Sequence, residues 1–511
     1  MSTMKEPEGI QTFDDVLLNY GEFGSYQKII YVLYCCPYIF SSLQLMGWKF
    51  VGAQLPHRCL LPGENKDSVV YNSSDGENIC FIKDDNNSTS NEYVYNTRKI
   101  GDSIAKEWNL VCEDKEIIAR IGSGPMMGYL FGGIIFGTLS DKIGRKATFI
   151  FSWGIYLCAL SPCFSHLKTH RRNRQSWDGD SLFYYGKRTL AGMVVWFFEC
   201  TGLLCTVAIS YNFHDNWRLL QGIFASPLIL FLAYYFCTPE SPRWLVSRGR
   251  SKEVEVTIHR ILKSNGFNEP EENIIDILSR QTSEESGSHN YTFLDLYKTP
   301  NLRIKSLILN WLWMVLASFY YVMLLDQSDL SSNPYLGFFI TVAAQVPCYI
   351  YLINTIDNPV VGRRLSLIGL LILAGVCLIS HPFLPSQSPA SYWFKFSMSL
   401  LGRLSATSSF TILCLFSSEQ FPTVLRDIGF SFNLTVSRIG SILAPYAVML
   451  GPFSHMIFGV GSLISAFLVS FLMETQSIQL PNSIEESEKI KPVLPWKLVR
   501  VQKVKADLSI N

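Results

Sequence analysis

Three features of this 511-residue sequence predict an all-α membrane protein. Apolar runs of about twenty residues recur along the chain, near the length an α-helix needs to cross ~30 Å of hydrocarbon. Charge gathers between those runs, so 17% charged and 48% apolar residues, with a mean hydropathy of +0.19, understate the contrast. Two of the runs, Ala119 to Leu139 and Ala147 to Cys163, are joined by a charged, glycine-punctuated decapeptide, Gly137-Thr138-Leu139-Ser140-Asp141-Lys142-Ile143-Gly144-Arg145-Lys146. A net charge of +1 gives no sign of a nucleic-acid partner. The phosphate-cradling Gly-x-x-x-x-Gly-Lys-Ser/Thr loop is missing, as are Ser/His/Asp and metal-ligand constellations. No enzyme activity, cofactor or metal is therefore expected.

Met1 to Tyr20 is polar and acidic and lacks the basic-then-apolar pattern of a cleaved signal. The first span, Ile29 to Phe50, is then an uncleaved anchor behind residues 1–28. The loop 51–115 carries sequons at Asn72, Asn86 and Asn87 and three cysteines, Cys59, Cys80 and Cys112. Together they point to an oxidising, glycosylating compartment, and the odd cysteine count leaves one thiol over. In the second span Gly124, Gly128 and Gly132 recur at spacing four, which lets helix backbones approach closely. The decapeptide is a tight turn whose basic residues mark the cytoplasmic side. Gly144 permits a turn closed to other residues, Asp141 can accept from open N–H groups at a helix start, and Arg145 has a donor fork for a carboxylate. An ordinary positive-inside hairpin would carry the same residues.

His166 to Gly186 is polar and basic and contains no span. Later runs cover Leu190 to Tyr211, Leu219 to Cys237, Ile304 to Leu325, Pro334 to Ile353, Leu365 to Leu384, Ser397 to Ser417, Gly429 to Leu450 and His455 to Met473. With the first three they make about eleven spans. Residues 238–303 form a charged loop with amphipathic stretches such as Glu253 to Leu262, and the polar tail 474–511 is expected to be mobile.

The decapeptide, as G-x-x-x-D-K-x-G-R-K, resembles the signature between the second and third helices of the major facilitator superfamily. Glu107-Trp108-Asn109-Leu110-Val111-Cys112, Pro239-Glu240-Ser241-Pro242-Arg243-Trp244-Leu245 and the stretch from Glu419-Gln420-Phe421-Pro422 through Arg426-Asp427-Ile428-Gly429 resemble its organic cation, organic anion and carnitine transporter family. The Pro-Glu-Ser-Pro-Arg stretch also occurs in sugar transporters. The ending, Glu474-Thr475 and then Leu480-Pro481-Asn482-Ser483-Ile484-Glu485-Glu486, fits the family too. The five stretches come in the right order over nearly the whole chain.

That resemblance implies the major facilitator fold: twelve spans in two helical bundles, here 29–237 and 304–473, around a polar cavity that opens to each face in turn. The N-terminus, the 238–303 loop and the tail are then cytoplasmic, and the membrane is the plasma membrane. Similarity fades near Ser165 and resumes near Gly186-Lys187-Arg188, where the family has its fourth helix. With eleven spans and the N-terminus inside, Arg243, Arg248, Arg250, Lys252, Arg260 and Lys263 would fall outside, against the positive-inside rule. Twelve spans satisfy it. Residues 166–185 are therefore expected to replace a deleted helix, through alternative splicing or an erroneous gene model.

Arg438 lies about ten residues from either end of its span, ~15 Å from each surface at ~1.5 Å per residue, farther than snorkelling covers. Ionisable groups that deep are functional candidates by default. A buried pair with Glu199, the acidic residue well inside a span, or hydrogen bonds to carbonyls would also account for it. By resemblance, Ser437-Arg438-Ile439-Gly440 through Pro445 matches members that handle organic anions or zwitterions, whereas cation-selective members tend to have an acid here. A guanidinium binds a carboxylate bidentately; Glu199 would hold a substrate ammonium or neutralise Arg438.

Trp313, Tyr320 and Tyr321 match the family's aromatic seventh helix, where rings face the cavity and attract quaternary ammonium groups. Packing against lipid or other helices is the commoner fate of a membrane aromatic. Gln345 stands where the family often has Glu, which disfavours simple cations. Glu240, Arg243, Glu419 and Arg426, with Gly137, Asp141, Gly144 and Arg145, are expected to hold one face shut through individually weak surface pairs. The second copy of the turn, Asp357-Asn358-Pro359-Val360-Val361-Gly362-Arg363-Arg364, has two extra residues, which disfavours pairing of its Asp with the neighbouring bundle. The expected function is transport of small organic ions, a carnitine-like zwitterion or organic anion ahead of a simple cation, driven by a gradient or the membrane potential. The rival is a membrane protein that keeps the scaffold without a working cavity. The sequence says nothing of oligomeric state.

Overall fold

The computed structural model describes residues 24–60, 93–98, 100–143, 148, 151, 188–226, 240, 245, 250–266, 292–326, 330–331, 333–356, 362–384, 388–476, 481 and 483–489. The expectations on Asn72, Asn86, Asn87, Cys80, Gly144, Arg145, Arg243, Asp357 and segment 166–186 lie outside the described residues. In chain order the elements are α1 (Ser25–Val51), β1 (His57–Cys59), β2 (Tyr93–Tyr95), α2 (Ile104–Glu107), α3 (Lys115–Ile143), α4 (Arg188–Asn212), α5 (Trp217–Ala225) and α6 (Ser251–Asn265). There follow α7 (Pro300–Leu325), α8 (Pro334–Ala343), α9 (Gln345–Thr355), α10 (Gly362–Ser380), α11 (Pro389–Gln420), α12 (Arg426–Val448), α13 (Pro452–Val469) and α14 (Ile484–Lys489). Among the described residues, Ser25–Val51, Met193–Asn212, Pro300–Leu325, Pro334–Thr355, Gly362–Phe383 and Pro389–Gln420 are long and apolar enough to cross a membrane.

Local chemistry sets the helix boundaries. Proline opens α7, α8, α11 and α13, where its missing N–H costs nothing. The Asn333 side chain accepts from Tyr335 N, and Ser388 Oγ accepts from Ser391 N, which starts α11 eight residues before its apolar run. α8 and α9 part at Ala344, because Pro347 has no N–H for the Ala343 carbonyl. One expectation about the decapeptide is corrected: α3 continues through Gly137 and Asp141 to Ile143, so those residues are helical. Asp141 thus lies in the last turn, at the negative end of the helix dipole rather than at a helix start.

The chain divides into two compact units. The first takes Met1–Phe40, Gly128–Glu199 and Pro227–Asp295. In it Tyr31 and Cys35 of α1 pack on Val195 of α4, flanked by Tyr38, Val194 and Phe198. Asn265, the last residue of α6, accepts from Tyr26 N and donates to Gln27 Oε1 at 3.0 Å, which ties down the start of α1.

The second unit takes Ser41–Met127, Cys200–Ser226 and Leu296–Asn511. Here α7 runs against α12, and α10 packs on both α11 and α13. The 51–115 loop adds a feature not expected of an all-α chain, the short antiparallel pair of β1 and β2. The tail corrects another expectation, because part of it is docked. Glu488 of α14 accepts from Asn301 N at 2.9 Å, one of the N–H groups that the first turn of α7 cannot use internally, and Pro481 O accepts from Thr423 N.

Candidate substrate site

The site is built where α12 meets α7. A Cβ on Gly440 would lie 2.2 Å from Met314 O and 2.3 Å from Ser318 Oγ, so only glycine allows this approach. Two residues earlier, Arg438 Nη1 donates to the Tyr321 hydroxyl at 3.2 Å. Tyr321 meets Tyr320 edge-on with centroids 5.6 Å apart, and Tyr320 stacks on Phe410 of α11 at 5.4 Å. Phe410 meets the edge of Trp313, which in turn meets Phe430 of α12 at 5.6 Å. Three helices thus contribute to one train of rings that ends at a guanidinium.

Trp313, Tyr320 and Tyr321 are buried, and Arg438 is half-buried. The Trp313 indole is 1% exposed, and its Nε1–H has no acceptor among the described residues. Such a donor ordinarily costs ~1–3 kcal/mol when left unmet. Nothing in the sequence pattern hints at this unused donor. Gln345 is buried, and its Oε1 accepts from Tyr349 Oη at 3.2 Å and Cys200 Sγ at 3.7 Å. Its carbonyl therefore has partners within the protein. Glu199 is half-buried on α4, in the first unit.

The residues expected to hold one face shut fall differently. Glu419 pairs with Arg363, and both side chains are nearly buried at 14% and 11% exposure. The network is not the exposed surface set that was expected, so its strength depends on desolvation and full pairing. Arg426 Nη2 donates to Thr423 Oγ1, and Glu240 is half-buried. Glu474 is a member that sequence reasoning missed. Its carboxylate accepts from Arg363 N and Arg364 N at 3.1 and 3.0 Å, capping α10. Gly362 begins that helix with φ +66°, and a Cβ there would lie 2.5 Å from Glu474 Oε2. The available signal was Gly362-Arg363-Arg364, a repeat of Gly144-Arg145-Lys146.

On the 51–115 loop, Cys112 is disulfide-bonded and Cys59 is buried in β1. Arg218 grips Glu107 with both ends of its fork, and Trp217 Nε1 donates to the same carboxylate at 2.8 Å. This joins α2 to α5.

Residues 188–482 match the family model described as sugar (and other) transporter. An organic cation transporter protein of Drosophila melanogaster is 33% identical, covering 93% of this chain and 94% of its own. The chain belongs to the organic cation, organic anion and carnitine transporter family of the major facilitator superfamily. Within that family, organic cation/carnitine transporter 2 of Mus musculus is 26% identical over 97% of this chain and 98% of its own. The inward-open xylose transporter XylE of E. coli superposes with a TM-score of 0.57, covering 90% of this chain and 100% of its own, a likeness of fold at 12% identity. This member of the transporter family is a multi-pass membrane protein and not an enzyme.

Proposed function

We propose that this chain carries small organic ions across the plasma membrane by alternating access, with its N-terminus in the cytoplasm and a substrate carboxylate bound at Arg438. One observation carries the reading: a guanidinium in mid-span is anchored by Tyr321 at the end of a buried aromatic train. The guanidinium offers paired donors to a carboxylate, and the ring faces suit a quaternary ammonium on the same molecule. Trp313 Nε1–H is a second donor awaiting an acceptor. A carnitine-like zwitterion uses both kinds of group, an organic anion uses the donors, and a simple cation leaves Arg438 unmatched. Glu199 is the candidate partner for a substrate ammonium. Arg363, Glu419 and Glu474 tie α10, α11 and the start of the tail together at the cytoplasmic end of the 304–473 bundle, and the 51–115 loop is glycosylated outside.

The test is uptake of radiolabelled carnitine and tetraethylammonium in cells expressing the chain and Arg438→Ala. Truncating one partner of a buried charge pair costs about 2–5 kcal/mol, so carboxylate uptake should fall roughly 30-fold or more while tetraethylammonium uptake persists. Equal loss of both substrates would remove the carboxylate role.

A further inference from the structure

We propose that Lys49 is a cation latch, whose ammonium sits between the Phe338 ring and a carbonyl oxygen at the C-terminal end of α7 and must leave that seat before that end admits substrate. The proposal rests on the transport reading. Lys49 occupies the last turn of α1, and its Nζ donates to Leu324 O at 3.3 Å. The same ammonium lies 4.9 Å from the centroid of the Phe338 ring on α8. Leu324 O is one of the last carbonyls of α7, which find no partner in their own helix and stand at the negative end of its dipole. A ring face and a helix C-terminus both favour a cation.

The neighbours make this a built site. Phe50 stacks on Tyr335 with centroids 5.1 Å apart and planes 2° from parallel, and it meets Phe338 edge-on at 5.7 Å. Tyr211 of α4 sets its ring edge-on to Tyr335 at 5.6 Å. Four helices, α1, α4, α7 and α8, thus converge on the end of the bundle from which the 51–115 loop leaves.

A second cation handles the neighbouring carbonyls in a different way. Arg403 of α11, 2% exposed, donates through Nη1 to Met323 O at 2.9 Å and to Asp326 O at 2.6 Å, and through Nε to Ser399 Oγ. It joins α7 to α11, two helices of the 304–473 bundle. Lys49 comes from the first helix of the 29–237 bundle. Alternating access separates helices of different bundles and leaves each bundle intact. Opening at this end therefore breaks the Lys49 grip and spares the Arg403 clip, which makes Lys49 a positioning residue for the cycle.

The test uses the full-length chain at the cell surface with a reporter cysteine, Tyr321→Cys, reacted with a membrane-impermeant thiol reagent. Labelling is counted over the parent chain without the reporter. Lys49→Met, which keeps the stem and drops the ammonium, should raise the labelling rate several-fold, and Lys49→Arg should return it towards the parental rate. If Lys49→Met fails to reach the surface, Phe338→Leu should give a smaller rise in the same direction. Unchanged labelling in Lys49→Met or Phe338→Leu at equal surface amount would overturn the latch, as would Lys49→Arg behaving like Lys49→Met. Labelling needs no turnover. Uptake is read in chains that keep Tyr321: labelling as expected with no such uptake would sink the transport reading alone, and unchanged labelling with that uptake intact would sink the latch alone.

Discussion

Trp313 poses a question at the residue scale: why bury an indole N–H with no acceptor among the described residues? For Trp313 the answer is testable, because Trp313→Phe keeps the ring contacts with Phe410 and Phe430 and deletes only the unmatched Nε1–H and some volume. Removing an unsatisfied donor relieves a cost in the empty protein and loses a bond in the loaded one. The variant should melt at the same temperature or higher, while KM for a carboxylate substrate rises about tenfold, the worth of ~1.4 kcal/mol. A variant of lower melting temperature with unchanged KM would make the indole a packing residue. Gly440 tests the scaffold instead. Gly440→Val would drive two methyls into Met314 O and the Ser318 hydroxyl, so α12 must shift from α7. Overpacking of this kind costs about 1–3 kcal/mol and here also separates Arg438 from Tyr321, so surface expression and uptake should fall together.

At the scale of elements, the apolar runs were legible because hydrocarbon demands an unbroken helix of known length, whatever it packs against. Their ends were less so. α11 starts at Pro389 because Ser388 caps it, a signal that no hydropathy window carries. The Glu474 cap on α10 joins residues 111 apart in the chain, so only folding brings them together. The β1–β2 pair is three residues a strand, too short for alternation to show. A buried histidine gives the pair a pH dependence. His57 donates through Nδ1 to Leu55 O at 3.1 Å, with Nε2 facing Cys112 Sγ. Burial pushes the imidazole below its ordinary value, the Leu55 carbonyl opposes this, and Lys115 adds to it. A depressed folded value means that the stabilising contribution is fully present above the unfolded value of ~6.5 and is lost as pH falls through the folded value. Protease nicking of the 51–115 loop should therefore rise between about pH 7.5 and about pH 5.5, and His57→Gln should flatten that rise.

For the whole molecule, the docked tail bears on the parity problem. α7, the α8–α9 pair, α10, α11, α12 and α13 make an even number of passes, so Pro300 and the tail belong on one side. The bond from Asn301 N to Glu488 agrees with that count. Arg303, Lys305, Arg363, Arg364 and Arg426 lie at that end, which the positive-inside rule expects on the cytoplasmic side. If the N-terminus is also cytoplasmic, as proposed, α1 and α3 return the chain to the inside at Ile143, and α4 starts inside at Arg188. Ile143 and Arg188 would then lie on one side, although the sequence between them holds one apolar run and the polar segment 166–186. Epitope tags at the two termini decide the matter: both should be detected only after the cells are permeabilised. A tag at the N-terminus that intact cells expose, with the tail still inside, would mean an odd number of passes. The first helical bundle of this chain would then be inserted without the fourth helix of its family, and the substrate path would lack one wall.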